Sequence, residues 1–250
     1  MRKYLVIGNP IEHSLSPKLH NHWIRQNNLN AVYEKKLVKE DDIKATISQM
    51  KKGEIEGINI TVPYKKSVIS LLDKLTSVAN EAQSVNTLFK KDNLVIGDNT
   101  DIGGFEYSLK HIDYNVKNKK VFILGAGGVV SSIILSLTRL GASKIYLSNR
   151  TKKNAEDLKK IYPDLEIVDW GQNPDFDMIM NATSLGLKRE DKIELNYSKF
   201  GSNKLFYDII YNPNKTNFLL KGEELGNKIV NGKMMFIHQA QLSFKIWHNV

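Results

Sequence analysis

The stretch Lys120-Val121-Phe122-Ile123-Leu124-Gly125-Ala126-Gly127-Gly128 decides the fold of this chain. An apolar strand, 120–124, runs into a glycine-rich turn, and a helix is predicted to follow at once over 129–140. Glycine lets the backbone approach a pyrophosphate, and the N-terminus of the helix offers that group unpaired N–H donors. The predicted pyrophosphate-binding residues are therefore Gly125, Ala126, Gly127 and Gly128. A turn of purely structural importance is the alternative, since Val130 occupies the third small position of the usual fingerprint.

The strand that follows indicates which dinucleotide binds. Proteins that bind NAD usually carry Asp or Glu about 20 residues after the glycines, where it bonds the ribose 2′-hydroxyl. This strand, 144–148, ends instead in Asn149, Arg150 and Thr151. A guanidinium can fork onto a 2′-phosphate, and the two neighbouring side chains can add hydrogen bonds. The residues predict NADP, the alternative being that Arg150 is a surface residue and Thr151 only a helix cap.

Apolar runs alternate with amphipathic stretches along the rest of the chain, which predicts an α/β fold with mostly parallel strands. We expect two α/β domains with a cleft between them, where ligands usually bind. In the first helix, Ser16 is the expected N-cap and Pro17 the first helical residue. The predicted strands are 4–8, 32–38, 57–62, 85–91, 94–97, 120–124, 144–148, 166–169, 178–181 and 205–210, and the predicted helices are 17–27, 41–52, 102–111, 129–140, 152–162 and 234–247.

Composition excludes several classes of function. The 250 residues include no cysteine, which removes disulfides and thiolate nucleophiles, and the six histidines show no metal-ligand spacing, so no metal is expected. The formal charge of +9 is dispersed without a dense basic block, so no nucleic-acid partner is predicted. No apolar stretch approaches the roughly 20 residues that span a bilayer. We expect a soluble, cytoplasmic protein without a membrane partner.

Several polar motifs in the first hundred residues are not explained by packing. Ser14-Leu15-Ser16-Pro17 places two hydroxyls at a helix start, where they could hold a small carboxylate. The strand from Gly57 delivers Asn59, Thr61 and Lys65 at its end, and an acid, Asp101, stands in a turn between glycines. Taken singly, each motif is more often a solvated loop.

Together these motifs resemble one family, the shikimate dehydrogenases, from Tyr4 to Trp247. Their order and spacing agree as well, which makes the joint signal specific. The matching stretches are Ser14-Leu15-Ser16-Pro17, Asn59-Ile60-Thr61-Val62-Pro63-Tyr64-Lys65, Val85-Asn86-Thr87, Gly97-x-Asn99-Thr100-Asp101-x-x-Gly104, Gly125-Ala126-Gly127-Gly128, Asn149-Arg150-Thr151, Asn181-Ala182-Thr183-Ser184 and Gln239-Ala240.

The resemblance implies the reversible, NADPH-dependent reduction of 3-dehydroshikimate to shikimate, a step of chorismate and aromatic amino-acid biosynthesis. It implies that Lys65 and Asp101 are the catalytic pair; an ammonium beside a carboxylate can stabilise a growing alkoxide and supply its proton. Which of the two donates the proton stays open. The resemblance also implies a set of substrate-binding residues: Ser14, Ser16, Asn59, Thr61, Asn86, Tyr211 and Gln239.

The same resemblance implies a Rossmann-type NADP-binding domain over 102–237 and a substrate-binding domain formed by 1–101 with 238–250. On the cofactor side it adds Thr183 and Ser184, with Gly232 and Met235 flanking the nicotinamide. The sequence departs from the family pattern at Asn154, where many members have Arg, and at Met234, which replaces a common glycine.

Three other interpretations are compatible with the sequence. A quinate/shikimate dehydrogenase that accepts NAD or NADP is the nearest, although the presence of both serines favours shikimate. A catalytically silent NADP-binding regulator is the second, and retention of both Lys65 and Asp101 argues against it. Nucleic-acid binding through the basic charge is the third. The predicted partner is a small-molecule substrate, and the chain is expected to be a monomer or a homodimer.

Overall fold

Two sheets of six strands each organise the chain. The computed structural model describes residues 1–249. One unit consists of Met1–Gly104 with the chain from Ile237 onward, and the other of Phe105–Phe236. The predicted fold class, two α/β units, is confirmed. Among residues 1–249, no helix has the length and apolar character needed to cross a membrane.

The first unit contains strands β1 (Arg2–Gly8), β2 (Ala31–Leu37), β3 (Gly57–Ile60), β4 (Lys74–Leu75), β5 (Thr87–Lys91) and β6 (Leu94–Asp98), and helices α1 (Ser16–Gln26), α2 (Ile43–Lys51), α3 (Ser77–Ala82) and the start of α4 (Asp101–His111). The strand order is β2-β1-β3-β5-β6-β4. β1 pairs in parallel with β2 and β3, whereas β5 is antiparallel to β3 and β6. β5 and β6, predicted as strands 85–91 and 94–97, form a hairpin.

Strand β1 explains why this sheet is covered on both faces. Successive side chains of a strand point to opposite faces. Leu5 and Ile7 enter one apolar cluster with the buried residues of α2, and Tyr4 and Val6 enter a second cluster with Trp247. A strand buried on both faces has a continuous apolar run, as the sequence of β1 does.

The second unit contains the rest of α4, strands β7 (Lys120–Leu124), β8 (Lys144–Ser148), β9 (Glu166–Ile167), β10 (Met178–Asn181), β11 (Leu205–Asp208) and β12 (Lys228–Val230), and helices α5 (Val130–Arg139), α6 (Lys152–Ile161), α7 (Asn217–Glu224) and the start of α8 (Lys233–His248). The order is β12-β11-β10-β7-β8-β9, and every pair is parallel. Val121 and Ile123 pack on one face, and Phe122 and Leu124 on the other. The carboxyl ends of β7, β8, β10 and β11 therefore share one edge, where ligands bind in open parallel sheets.

The predicted start of α1 is wrong by one residue. Leu15, not Ser16, occupies the N-cap position, and no side chain caps the helix. The hydroxyl of Ser14, just before the helix, accepts a hydrogen bond from the backbone N–H of Ser16 at 3.4 Å. Ser16 and Pro17 are consequently the first two residues of the helix.

Some elements have no counterpart in the sequence prediction: β4, α3, α7 and β12. The strand predicted over 205–210 is also shorter than expected, since β11 ends at Asp208. The side chain of Asp208 accepts the backbone N–H of Ile210 at 2.9 Å, which turns the chain out of the sheet at that point.

Candidate active site

Lys65 and Asp101 form a buried ion pair in the first unit. Lys65 follows the loop after β3, and Asp101 is the first residue of α4. Lys65 Nζ lies 2.5 Å from Asp101 Oδ2, and the two residues are 8% and 5% exposed. A second bond fixes the loop, because the carbonyl of Lys65 accepts the N–H of Val85 at 2.8 Å. Two charges held this far from solvent keep their geometry only when both are paired, as they are here.

Asn86 orients the other oxygen of this carboxylate. Its Nδ2 donates to Asp101 Oδ1 at 3.0 Å and lies 3.3 Å from Oε1 of Gln239 on α8. Its Oδ1 accepts the backbone N–H of Thr100 at 2.8 Å. The structure thus brings together four of the residues predicted for catalysis and substrate binding: Lys65, Asn86, Asp101 and Gln239.

Asn59 belongs to a buried polar network just behind these residues. Its Oδ1 accepts from the hydroxyl of Tyr33 at 2.7 Å, and its Nδ2 donates to the carbonyl of Asn86 at 3.0 Å. The same Nδ2 lies 3.1 Å from Thr87 Oγ1 and 3.0 Å from Ser243 Oγ. Both ends of the amide are therefore bonded within the protein.

The sequence prediction missed Tyr33, Thr87 and Ser243. Ser243 is fully buried, and its hydroxyl lies 2.8 Å from Thr87 Oγ1 and 3.1 Å from Thr100 Oγ1. One signal was available: Ser243 stands between Leu242 and Phe244 in an apolar helix, where a hydroxyl needs a partner.

Ser14, Ser16 and Thr61 lie at the same edge of the first sheet. The loop of the serines follows β1, Thr61 follows β3, and these two strands are parallel neighbours. Ser16 is 8% exposed and hydrogen bonds to Tyr33, which partly offsets the rise that burial causes in the pKa of that phenol. Among residues 1–249 no hydrogen bond links these three side chains to Lys65 or Asp101. The two serines and Thr61 lie at the same edge of the sheet as the pair Lys65–Asp101.

The glycine-rich loop after β7 packs closely against the loop after β10 on one side and is open on the other. Gly125 has φ +109°, and a Cβ atom there would lie 2.7 Å from the carbonyl oxygen of Ala182. A Cβ on Gly127 would meet nothing within 4 Å, so the loop is open on that side. Helix α5 begins at Val130 without a side-chain cap and without an acid in its first turn. Its N-terminal N–H groups and dipole therefore favour an anion.

The residues at the end of β8 support the glycine-rich loop and leave one guanidinium exposed. Asn149 braces the glycine-rich loop, since its Oδ1 accepts the N–H of Ala126 at 3.1 Å and its Nδ2 donates to the carbonyl of Thr151 at 2.8 Å. Thr151 is the N-cap residue of α6, but its side chain makes no capping bond. Arg150 is exposed and pairs with no acid among residues 1–249. The guanidinium is thus accessible to a ligand, whereas Lys152 already contacts Asp169 at 3.5 Å.

The remaining predicted residues lie in the second unit. Thr183 is half-buried after β10, and its hydroxyl donates to Asn181 Oδ1 at 2.7 Å, whereas Ser184 is exposed. Tyr211 stacks on Phe236 with ring centroids 4.6 Å apart. Gly232 donates its N–H to the carbonyl of Ile210 at 3.1 Å, and Met235 is buried in the apolar cluster of this unit. Within residues 1–249 no group of His, Asp or Glu is arranged to hold a metal ion.

Fold and site together define a two-unit α/β protein of the dinucleotide-binding class. Two family models match it: the shikimate dehydrogenase substrate-binding domain over residues 6–88, and shikimate/quinate 5-dehydrogenase over residues 107–187. The shikimate dehydrogenase (NADP(+)) of Pelagibacter ubique is 57% identical over 249 residues, which cover 100% of this chain and 94% of that protein. The chain belongs to the shikimate dehydrogenase family.

Solved structures agree with this assignment. The crystal structure of shikimate dehydrogenase from Aquifex aeolicus superposes with a TM-score of 0.92 at 39% identity, over 100% of this chain and 93% of that one. The enzyme of Thermus thermophilus, solved in complex with NADP(H) and shikimate, gives a TM-score of 0.91 at 27% identity, over 100% and 94% of the two chains.

Proposed function

We propose that this chain catalyses the reversible, NADPH-dependent reduction of 3-dehydroshikimate to shikimate, a step of chorismate and aromatic amino-acid biosynthesis. The observation that carries the proposal is the buried pair Lys65–Asp101, 2.5 Å apart, in a chain that belongs to this family. The Pelagibacter relative is an NADP(+) enzyme by name, and the Thermus structure holds NADP(H) and shikimate.

In the proposed mechanism Lys65 and Asp101 supply the proton that the carbonyl oxygen takes up. NADPH, when bound, supplies the hydride that the C3 carbonyl carbon accepts. Lys65 Nζ carries more N–H donors than the one that Asp101 takes, so it can donate to the carbonyl oxygen as negative charge grows there. Asp101 holds the ammonium in place and is itself held by Asn86. Either member of the pair can pass the proton, and the spare N–H donors of Lys65 support its assignment as the group that touches the oxygen.

The substrate carboxylate is assigned to Ser14 and Ser16, at the start of α1. A helix N-terminus and two hydroxyls favour an anion there. Thr61, Asn86, Gln239 and Tyr211 are proposed to contact the ring hydroxyls or the carboxylate. Asn59 stays in the set, and its main contribution is to order the wall of the site, because its amide is already bonded on both sides.

The cofactor is assigned to the second unit. The glycine-rich loop would hold the pyrophosphate, and Asn149, Arg150 and Thr151 would hold the adenosine 2′-phosphate. Thr183, Ser184, Gly232 and Met235 would flank the nicotinamide. We accordingly propose 1–101 with 238–250 as the substrate-binding domain and 102–237 as the NADP-binding domain. The family model for the substrate-binding domain, residues 6–88, falls within the first of these. The cytoplasmic location and the monomeric or dimeric state stay predictions.

One experiment tests the reaction directly. Oxidation of shikimate by the purified protein is followed by the absorbance of NADPH, with NAD and quinate run in parallel. We expect rapid reduction of NADP+ by shikimate and no comparable rate with NAD or with quinate. Comparable rates with NAD or quinate would move the protein to the broader quinate/shikimate type. Cofactor binding without turnover in any pairing would favour the silent regulator instead.

A further inference from the structure

A buried carboxylate that the proposed mechanism does not use lies at the end of β11. Asp208 is fully buried, with 0% of its surface exposed. No lysine, arginine or histidine of residues 1–249 pairs with it, although taking a lone carboxylate out of water is costly. The charge is offset by hydrogen bonds alone. Such an arrangement calls for an explanation beyond packing.

Three donors from different segments converge on this carboxylate. The hydroxyl of Thr216, at the start of α7, donates to Oδ2 at 2.6 Å. The backbone N–H of Ile210 and the side-chain Nδ2 of Asn181 donate to Oδ1 at 2.9 Å and 3.1 Å. Asp208 therefore ties together the end of β10, the turn after β11 and the beginning of α7.

One chain of hydrogen bonds from Asp208 runs through Asn181 to the loop after β10. Asn181 accepts both the N–H and the hydroxyl of Thr183, at 3.0 Å and 2.7 Å, and the same hydroxyl accepts the N–H of Leu185. This loop also lies on the glycine-rich turn, since a Cβ atom on Gly125 would be 3.0 Å from Cγ2 of Thr183. Asp208 thus sets the position of the loop relative to that turn.

A second chain of hydrogen bonds runs from Asp208 through Ile210 to the segment before α8. Ile210, held by Asp208 through its N–H, accepts the N–H of Gly232 through its carbonyl at 3.1 Å. Gly232 sits so close to the carbonyl of Ile209 that a Cβ atom there would overlap it. Moving the turn after β11 would therefore move Gly232 as well.

We infer that Asp208 is a positioning residue for the nicotinamide half of the cofactor: its carboxylate holds in register the segments that carry Thr183, Ser184 and Gly232. The inference rests on the proposed function, because it assigns Asp208 a part in NADP binding. Only the ionised carboxylate accepts from all three donors, since a proton on it would turn one acceptor into a donor facing Thr216.

The electrostatic surroundings give this arrangement a pH dependence. Burial raises the pKa of Asp208 to about 6, against the effect of its three hydrogen bonds. The titratable side chains that its charge affects are Tyr197 and Tyr207, whose pKa values it raises further above that of an ordinary phenol. Below about pH 6 the protonated form is populated, and the three segments lose a common acceptor. NADP should bind less tightly there.

The test compares Asp208→Asn with Asp177→Asn in the full-length protein. Asp177 stands directly before β10, at the opposite edge of the same sheet, and accepts the N–H of Lys120. NADP+ affinity is measured by isothermal titration at pH 7 and pH 5.5, and KM for each substrate by steady-state turnover. We expect Asp208→Asn to weaken NADP+ binding about tenfold at pH 7 and to lessen the further loss of affinity between pH 7 and pH 5.5. The Asp177→Asn control should stay within about twofold of wild type in both NADP+ affinity and KM for shikimate.

Asp208→Asn with wild-type NADP+ affinity, or with a pH response like that of wild type, would overturn the inference. If this variant does not fold, Thr216→Val and Thr216→Ser replace it, because only the serine keeps the hydroxyl that bonds Asp208. Weaker NADP+ binding in the valine variant alone supports the inference, and equal affinities in the two variants overturn it. A wild-type protein that does not bind NADP+ would instead overturn the proposed function, and with it this inference.

Discussion

Asn86 donates a hydrogen bond of 3.0 Å to Oδ1 of Asp101, the oxygen that does not contact Lys65. Each oxygen of the carboxylate thus accepts a hydrogen bond, one from an amide and the other from an ammonium. Since a carboxylate that can rotate would release the lysine, this amide fixes the geometry of the whole pair. Its removal should therefore affect the chemical step.

We expect Asn86→Ala to lower kcat/KM for shikimate about tenfold to a hundredfold, because a buried acceptor left unsatisfied costs about 1–3 kcal/mol. Steady-state kinetics with saturating NADP+ measures this loss. Asn80→Ala, an exposed asparagine of α3, serves as the control and should keep wild-type kinetics. An Asn86→Ala enzyme with wild-type kcat/KM would show that Asp101 needs no orienting donor.

Lys65→Ala should lower kcat at least about a hundredfold, the contribution expected of a positioned proton donor. NADP+ affinity should stay near that of wild type, because the cofactor is assigned to the other unit. Titration calorimetry and single-turnover absorbance measure the two quantities. Lys66→Ala is the matched control, since this neighbouring lysine is exposed.

The same substitution leaves Asp101 buried without its cation. Breaking a buried ion pair from one side costs about 3–5 kcal/mol, so the thermal midpoint of Lys65→Ala should also fall. Turnover is therefore compared at a temperature where the variant is folded by circular dichroism. Near-normal turnover in the folded variant would disprove the proton-transfer role of Lys65.

The parts of the fold that follow from local patterns were predictable. The strand β7, its glycine-rich turn and helix α5 are adjacent in the sequence, and each has its own signal. Helix α3 was missed because its six residues are too short for a periodic pattern, and its cap gives a weak local signal. Thr76 supplies that cap by accepting the N–H of Ala79 at 3.2 Å.

The site was predictable only in part, because its contacts join distant residues. Lys65 and Asp101 are 36 positions apart, and no local rule pairs them; resemblance to a family did. Ser243 and Thr87 are 156 positions apart, and neither belonged to a predicted site. Asp208 was a similar case, since at the end of an apolar strand its sequence gives no sign that Asn181 and Thr216 converge on it.

Arg150→Ala should raise KM for NADP about tenfold and KM for NAD by much less, since only NADP carries the 2′-phosphate. Initial rates with each cofactor at saturating shikimate give both constants. Arg25→Ala, an exposed arginine of the first unit, should change neither constant. Equal effects of Arg150→Ala on both cofactors would rule out a contact with the 2′-phosphate.

His20 should make the protein less stable in mild acid. The ring is buried against Tyr33, with centroids 4.1 Å apart, and neither ring nitrogen has a hydrogen-bond partner. Burial, with a smaller contribution from the nearby His248, lowers its pKa from 6.5 to about 3. Below about pH 6.5 the unfolded chain therefore binds a proton at this histidine that the folded protein does not bind. Stability is lost as the pH falls from about 6.5 toward 3, by about 1.4 kcal/mol per pH unit.

Urea unfolding of wild type, His20→Phe and His22→Phe at pH 7 and pH 5 isolates this effect. Asp208 acts in the opposite direction, since its raised pKa favours the folded state as the pH falls toward 4, and His248, with its pKa lowered to about 4, acts in the same direction as His20. Both contributions are common to all three proteins and cancel in the comparison. We expect wild type and His22→Phe, whose histidine is exposed, to lose about 2 kcal/mol more between pH 7 and pH 5 than His20→Phe does. Parallel losses in all three proteins would mean that the His20 ring accepts its proton without leaving the fold.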